Sequence, residues 1–355
     1  MKYTVLTPRQ QVETSLRGGF PGRVPFTIYE YAIPQNSVER ALRNRGMCIV
    51  NRRIPVYRTV WNDVKETRFS WFEKGKLFEK TILSTPVGEI TAVAEQAGFT
   101  VWQHEKFFKR KEDYKVLKFI AENEHYIPDY TPWLQAEKAA GGDVIFRAGM
   151  GLEPMQTFIS GTWMSMETFC YEWMDSRDEI LEIAAVVRRN RLAAAQIIAD
   201  SPALHANYGG NVTPEIIGPE IFEKYYIPCY NEVADIFHSR GKLLGCHLDG
   251  NNSIIAEAVA GSQLDFIEAF TPEDTDMTLQ QAREIWKDKV LWLNFPSSWH
   301  LKNDNEVTAA TMDLLSQVSV HDGLIMGITE DMPAERELYS CRAIMNGLDL
   351  AAKNN

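Results

Sequence analysis

The sequence predicts an α/β fold, a (β/α)8 barrel of TIM type with an N-terminal extension and an inserted antiparallel hairpin. Three observations predict it. From about residue 140 onward, short apolar runs alternate with amphipathic stretches, the pattern of repeated βα units around a parallel sheet. With two early runs added, the strand-length segments number about eight, the count a closed barrel needs. No GxGxxG opens a helix, so the competing open, doubly wound sheet lacks its usual signature.

In chain order, the first strands are Val24-Pro-Phe-Thr-Ile-Tyr29 and the run from Met47 to Val50. Residues 54–90 then break the βα pattern. Lys65–Phe72 and Lys76–Ile82 flank a Glu-Lys-Gly turn, which reads as a β-hairpin appended to a single barrel domain spanning residues 1–355. The stretch from Trp102 to Tyr114 mixes aromatics with charges, the composition of a solvated helix face or of a collar for a partner. The later strands are Asp143–Met150, Ala203–Tyr208, Lys242–His247, Leu264–Phe270, Val290–Phe295 and Gly323–Glu330. Helices lie between them: Ser176-Arg-Asp-Glu179 is a capping-box pattern opening one, and Pro219 and Gly241 bracket another.

Composition narrows the class further. The chain has 355 residues, 45% apolar and 24% charged, which excludes disordered, collagenous and coiled-coil proteins. Its 37 basic and 48 acidic residues give a net charge of −11 with no basic stripe, which argues against nucleic acid. Five scattered cysteines without a CxxC pair suit a reducing compartment and exclude a disulfide scaffold or zinc ribbon. No run of ~18 apolar residues is present and the first residues lack a signal-peptide pattern, so the expectation is a cytoplasmic protein that engages no membrane.

In a parallel barrel the catalytic groups belong at the carboxyl ends of the strands. Polar residues there are His205, Asn207 and Tyr208, then His247 and Asp249, Glu268, Asn294 and His300, and finally Thr329, Glu330 and Asp331. His247 and Asp249 are two apart and point to one side. With Glu268 and Glu330 they offer one imidazole and several carboxylates, a set that suits a divalent cation with an open position, zinc (Zn2+) above all. His247, Glu268 and Glu330 are the expected ligands and catalytic residues; Asp249 is a fourth ligand or a support, and His300 a reserve. The competing reading pairs Glu268 and Glu330 with arginines such as Arg147 or Arg283.

The segment Val212-Thr-Pro-Glu-Ile-Ile-Gly-Pro-Glu-Ile-Phe through Tyr230, followed by Lys242-Leu-Leu-Gly-Cys-His-Leu-Asp-Gly-Asn251, resembles the uroporphyrinogen decarboxylase superfamily. There, a closely similar helix precedes a strand ending in His and Gly-Asn. The resemblance covers residues 140 to 345 and implies a distorted (β/α)8 barrel. Two branches are implied, cofactor-free decarboxylases and zinc-dependent methyltransferases that work with a corrinoid protein. The arginine-rich early segment of the decarboxylases is replaced here by Gly22-Arg-Val-Pro-Phe-Thr-Ile-Tyr-Glu-Tyr31, which departs from tetrapyrrole decarboxylation. Thiol-methylating members carry His-x-Cys where this chain has His247-Leu-Asp249, and a further Cys near the position of Glu330.

A His and carboxylate set is harder than a thiolate one and matches an oxygen of the substrate. The chain therefore resembles the methyltransferase component of O-demethylase systems. That resemblance implies a small methoxylated aromatic as methyl donor and the corrinoid (cobalamin) cobalt of a partner protein as acceptor. Tyr29, Glu30, His205, Asn207, Tyr208, Asn211, Asp249 and Asn294 are then the candidates to bind the substrate. The alternatives are a cofactor-free decarboxylase with Arg23, His247 and Asp249 in its site, and a non-catalytic barrel binding a small ligand. A homodimer is the default assembly.

Overall fold

The computed structural model describes residues 6–97, 100–273, 276–330 and 332–354; Asp331 lies outside them. The chain divides into two compact units. One comprises residues up to Val56, Tyr130–Met150 and Ile198 onward; the other comprises Tyr57–Asp129 and Gly151–Ile197.

The first unit is organised by a parallel sheet. Its strands are β1 (Phe26–Tyr29), β2 (Met47–Asn51), β3 (Val144–Phe146 continued by Ala148–Gly149), β4 (His205–Asn207), β5 (Leu243–His247), β6 (Phe266–Phe270), β7 (Val290–Asn294) and β8 (Leu324–Ile328). Neighbours pair in the order β3, β4, β5, β6, β7, β8, β1, β2, β3. The two ends of this nine-piece sheet are the halves of one segment, for Val144–Phe146 pairs with β2 and Ala148–Gly149 with β4. With Arg147 between the halves, the sheet closes as a TIM-type barrel. The strands are buried almost throughout, which is why most of them read as nearly continuous apolar runs, β4 (His205-Ala-Asn207) and the Arg147 break in β3 being the exceptions.

Alternate residues of these strands meet inside the barrel. Phe266 and Trp292 pack against the His205 ring with centroids 5.7 and 6.0 Å away, and Trp292 Nε1 donates to Thr27 Oγ1 at 2.9 Å. At Gly245 a Cβ would meet the Phe266 ring at 2.1 Å, so the missing side chain on β5 makes room for the large one on β6. One layer further along the strands, Tyr29, Arg147, Asn207, His247 and Glu268 follow with polar side chains.

Two local departures carry physical reasons. The stretch expected as one helix from Pro219 contains a π-helical turn, Phe222–Tyr226, before the helix Ile227–His238. Pro228 lacks the N–H that a regular turn would use, and a widened turn accommodates its ring. On β6 the register shifts between Glu268 and Phe270, and Ala269 sits at φ 66°. This bulge keeps Glu268 inward while sending Phe270 outward onto Trp286, with ring centroids 5.6 Å apart.

The second unit combines helices with strands that pair antiparallel. Lys65–Glu73 and Lys76–Thr85 form the expected hairpin, turning through Lys74 (φ 50°) and Gly75 (φ 78°), the left-handed pair a two-residue turn requires. Two further strands, Gly88–Ala97 and Thr100–Glu105, extend it to a four-stranded sheet, so the 54–90 segment belongs to a larger structure than a hairpin. Thr100–Glu105 places the start of the Trp102–Tyr114 stretch on a strand rather than on a helix face. The helix Asp113–Glu122 follows and buries Val116, Leu117 and Ile120. Among the described residues no helix is long and apolar enough to cross a membrane.

Candidate metal centre

His247, at the carboxyl end of β5, has its two ring nitrogens committed differently. Nδ1 lies 3.1 Å from Glu268 Oε2, while Nε2 faces Asp249 Oδ1 at 3.0 Å and Glu330 Oε1 at 3.1 Å. The atoms of His247, Asp249 and Glu330 fall within 4.8 Å of one another, the one such group of three found among the described residues. Although the Glu330 side chain is 42% exposed, its Oε1 is buried and has no aligned hydrogen-bond donor. Two acidic oxygens thus converge on one ring nitrogen, an arrangement that a proton on Nε2 neutralises and that a metal cation could take over. Zinc bonds of about 2.0–2.2 Å in a tetrahedron hold ligand atoms roughly 3.3–3.5 Å apart, close to the spacing found here.

Glu268 is where expectation and structure part. The sequence reading made it a ligand, yet both its oxygens are already engaged. Oε1 accepts from Tyr29 Oη at 2.7 Å and from the Arg147 guanidinium, and Oε2 accepts from Asn207 Nδ2 at 2.6 Å as well as facing His247. Its place in the structure is behind the histidine, as in the arginine-paired alternative. Burial alone would raise its pKa, but Arg147, His247 and Tyr29 hold the carboxyl well below the usual range. An ionised Glu268 accepts the hydrogen bond of Nδ1–H and so turns Nε2 toward the two other carboxylates, where it donates while the ring is charged and would become a ligand atom once a cation displaces that proton. Burial would lower the His247 pKa, yet the Asp249, Glu268 and Glu330 carboxylates hold the ring well above its ordinary value. The Tyr29 hydroxyl is pushed up to about 12 by burial and by Glu268, so it stays protonated and donates.

The remaining candidates separate into layers. Asn294, at the end of β7, accepts from the Thr329 and Glu330 amides at 3.0 and 3.3 Å and donates to Thr271 Oγ1, which fixes the segment that carries Glu330. Glu30 is paired with Arg52 and Arg53 at 3.4 and 3.1 Å. Asn211, exposed at φ 54°, lies in the loop after β4. His205 is one layer deeper, buried among Phe266 and Trp292, with its pKa lowered to about 3 by burial and then by Arg147. Tyr208 points away from this layer, edge-on to Tyr230 at 5.7 Å on the helix Ile227–His238.

The reserve ligand His300 is far from such a role, since it is buried beside Phe295 with Nδ1 against Ser340 Oγ at 2.6 Å. Arg23 precedes β1, at the opposite end of the strand from the cluster, and engages Asp349. Arg283 binds the Lys289 and Asp322 carbonyls instead of Glu330.

Two arginines shape the site, Arg147 from the competing reading and Arg52, which the sequence reading missed. Arg147 was legible as the lone charge inside an apolar run. Arg52, just beyond the end of β2, lays its guanidinium over the Tyr29 ring at 3.4 Å from the centroid; its signal was a basic pair at a strand end. A cavity of about 370 Å3 lies wholly in the second unit, lined by Leu83, Val101, Phe107 and Trp163 among others. Of its charged residues, Glu66, Arg68 and Glu79 are tied to one another and Glu124 pairs with Arg191, and the acid-base cluster is in the barrel.

No protein-family model matches this chain, and no curated protein matches it. Among solved structures it is similar to a methyltransferase from Methanosarcina mazei, with 14% identity over 69% of this chain and 71% of that one and a TM-score of 0.47. It is similar also to a B12-independent methionine synthase from a Shewanella species, with 10% identity over 89% and 86% and a TM-score of 0.49. A pneumococcal exo-beta-D-N-acetylglucosaminidase module has 9% identity over 95% and 86%, with a TM-score of 0.41. Likeness this distant leaves the chemistry to be read from the chain's own side chains.

Proposed function

We propose that the barrel is a zinc-dependent methyltransferase. Its reaction moves the methyl group of a methoxylated aromatic to the cobalt of a partner corrinoid protein. The observation that carries this reading is the thiol-free donor set of His247 Nε2, Asp249 and Glu330, with Nδ1 held by an ionised Glu268. A carboxylate-rich set favours an oxygen donor over a thiol, because a harder centre prefers a harder ligand. Bound there, zinc would supply Lewis acidity to an ether oxygen, whose phenolate is otherwise a poor leaving group.

The chain's own residues do the rest. His247, Asp249 and Glu330 hold the cation; Glu268 fixes the imidazole tautomer, with Arg147, Tyr29 and Asn207 fixing Glu268. Asn294 sets the backbone that presents Glu330. Arg52, over Tyr29, offers a cation for an anionic ring substituent. In the transfer, the methyl carbon–oxygen bond breaks with its electron pair on oxygen, and the carbon bonds to cobalt(I), which is formally oxidised by two electrons.

The test uses the purified chain, a reduced corrinoid protein and a panel of methoxybenzoates and methoxyphenols, followed by methylcobalamin absorbance and metal analysis. The expected result is about one zinc per chain and methylation with at least one donor. In Glu330→Ala both zinc and turnover are lost. A wild-type chain that binds no zinc when zinc is offered would overturn the reading.

A further inference from the structure

In the four-stranded sheet of the second unit, Lys65–Glu73 is an edge strand, paired on one side with Lys76–Thr85 and on the other with no strand among the described residues. Native sheets protect such edges with short strands, prolines, bulges or charged side chains, and of these Lys65–Glu73 has charges alone, which a partner of matching charge pattern would satisfy. This one is nine residues long, has no proline and pairs without a register shift. Phe69, Trp71 and Phe72 on it are 55%, 37% and 76% exposed.

We propose that this strand pairs antiparallel with the same strand of a second copy of the chain, about a two-fold axis through Phe69. A two-fold perpendicular to the sheet preserves which face each side chain takes, so the axis must pass through a residue. Centred on Phe69, the strand Lys-Glu-Thr-Arg-Phe-Ser-Trp-Phe-Glu is complementary to itself. Lys65 stands opposite the partner's Glu73, Glu73 opposite the partner's Lys65, Thr67 opposite the partner's Trp71, and Phe69 opposite the partner's Phe69. Opposite charges and aromatic pairs in directly facing positions are the contacts that stabilise antiparallel sheets.

The charges on the strand divide accordingly. Glu66 and Arg68 are satisfied within the chain, Arg68 pairing with both Glu66 and Glu79. Among the described residues, Lys65 and Glu73 make no ion pair within the chain. Moving the axis to Arg68 would set two guanidiniums face to face. Moving it to Ser70 would place Lys65 opposite the partner's Gly75, in the turn and off the ladder.

Sedimentation velocity of the full chain tests this, with circular dichroism to confirm that each variant is folded. The wild type should dimerise. Lys65→Glu and Glu73→Lys should each associate roughly tenfold more weakly or less, because each sets like charges opposite one another at both contacts. Mixed in equal amounts, the two variants should recover wild-type association, since every facing pair is again Lys with Glu. A monomeric wild type, variants that dimerise as well as the wild type, or a mixture that fails to recover would each overturn the proposal.

Discussion

Arg147 interrupts the strand that closes the barrel and supplies the counter-ion of Glu268. Both groups are buried, Glu268 completely; Arg147 donates to Glu268 and Tyr29, and Glu268 accepts from Arg147, Tyr29 and Asn207. Replacing the guanidinium by an apolar chain of similar length, Arg147→Met, leaves the buried carboxylate with the His247 imidazole as its remaining cationic partner. The expected loss is about 3–5 kcal/mol of unfolding free energy, read from urea denaturation. A loss below ~1 kcal/mol would mean that Tyr29 and Asn207 suffice to hold Glu268. At this scale the sequence was legible where a polar residue ends a strand: His247, Asp249 and Glu330 do converge. It was not legible where the partner comes from a distant strand. An arginine partner for Glu268 was the competing reading, with Arg147 among its candidates, but nothing local to Glu268 chooses Arg147 over Arg283, and nothing local to His300 says that Ser340 covers it.

Whole elements fit together through size complementarity between neighbouring strands. Gly245 on β5 and Phe266 on β6 are paired in register, and the phenyl ring fills the space a β5 side chain would take. The Phe266 ring in turn rests on His205 and Trp292, so it has little room to move away. Gly245→Ala should therefore cost at least about 1–3 kcal/mol, the ordinary penalty of overpacking, measured as a lowered denaturation midpoint. Pairing it with Phe266→Leu should return part of that loss, whereas a backbone-propensity effect would not respond to the second change. The eight barrel strands were readable because strands buried on both faces are apolar along their whole length. The second unit was readable only in part. Gly88–Ala97 is only partly buried, Thr100–Glu105 is exposed almost throughout, and both carry mixed polarity, so periodicity marks them weakly, while the tight turn at Lys74-Gly75 was plain. The bulge at Ala269 has no sequence signal at all, since alanine seldom takes positive φ and only the demands of Glu268 and Phe270 on opposite faces hold it there.

Across the whole molecule, stability against pH is a balance of carboxylates shifted in opposite directions. The Arg43 hydrogen bond lowers the pKa of Asp143. Asp349, despite burial, is lowered by Arg45 and Arg23. Such groups add stability above the ordinary carboxylate range and lose it as the pH falls through that range. Asp276 runs the other way, raised to about 6 by burial against the hydrogen bonds it accepts. Its contribution is whole below an unfolded-state pKa near ~3.9 and is lost as the pH rises through about 6. Oδ1 accepts from the Asn252 and Met277 amides at 3.0 and 2.7 Å, while Oδ2 meets the Asn252 side chain, whose own Oδ1 is buried without a donor. A neutral group at position 276 with an acceptor on one atom and a donor on the other would satisfy all of these at once, once the Asn252 amide is flipped. Asp276→Asn supplies that arrangement at every pH. Its stability relative to the wild type should rise between pH 4 and pH 7 by an amount on the order of 2–3 kcal/mol and stay level above that. Urea melts of both proteins at unit steps of pH measure the difference. A difference that is constant across this range would place the folded-state pKa of Asp276 at its unfolded value, and the Asn252 amide in the orientation found here.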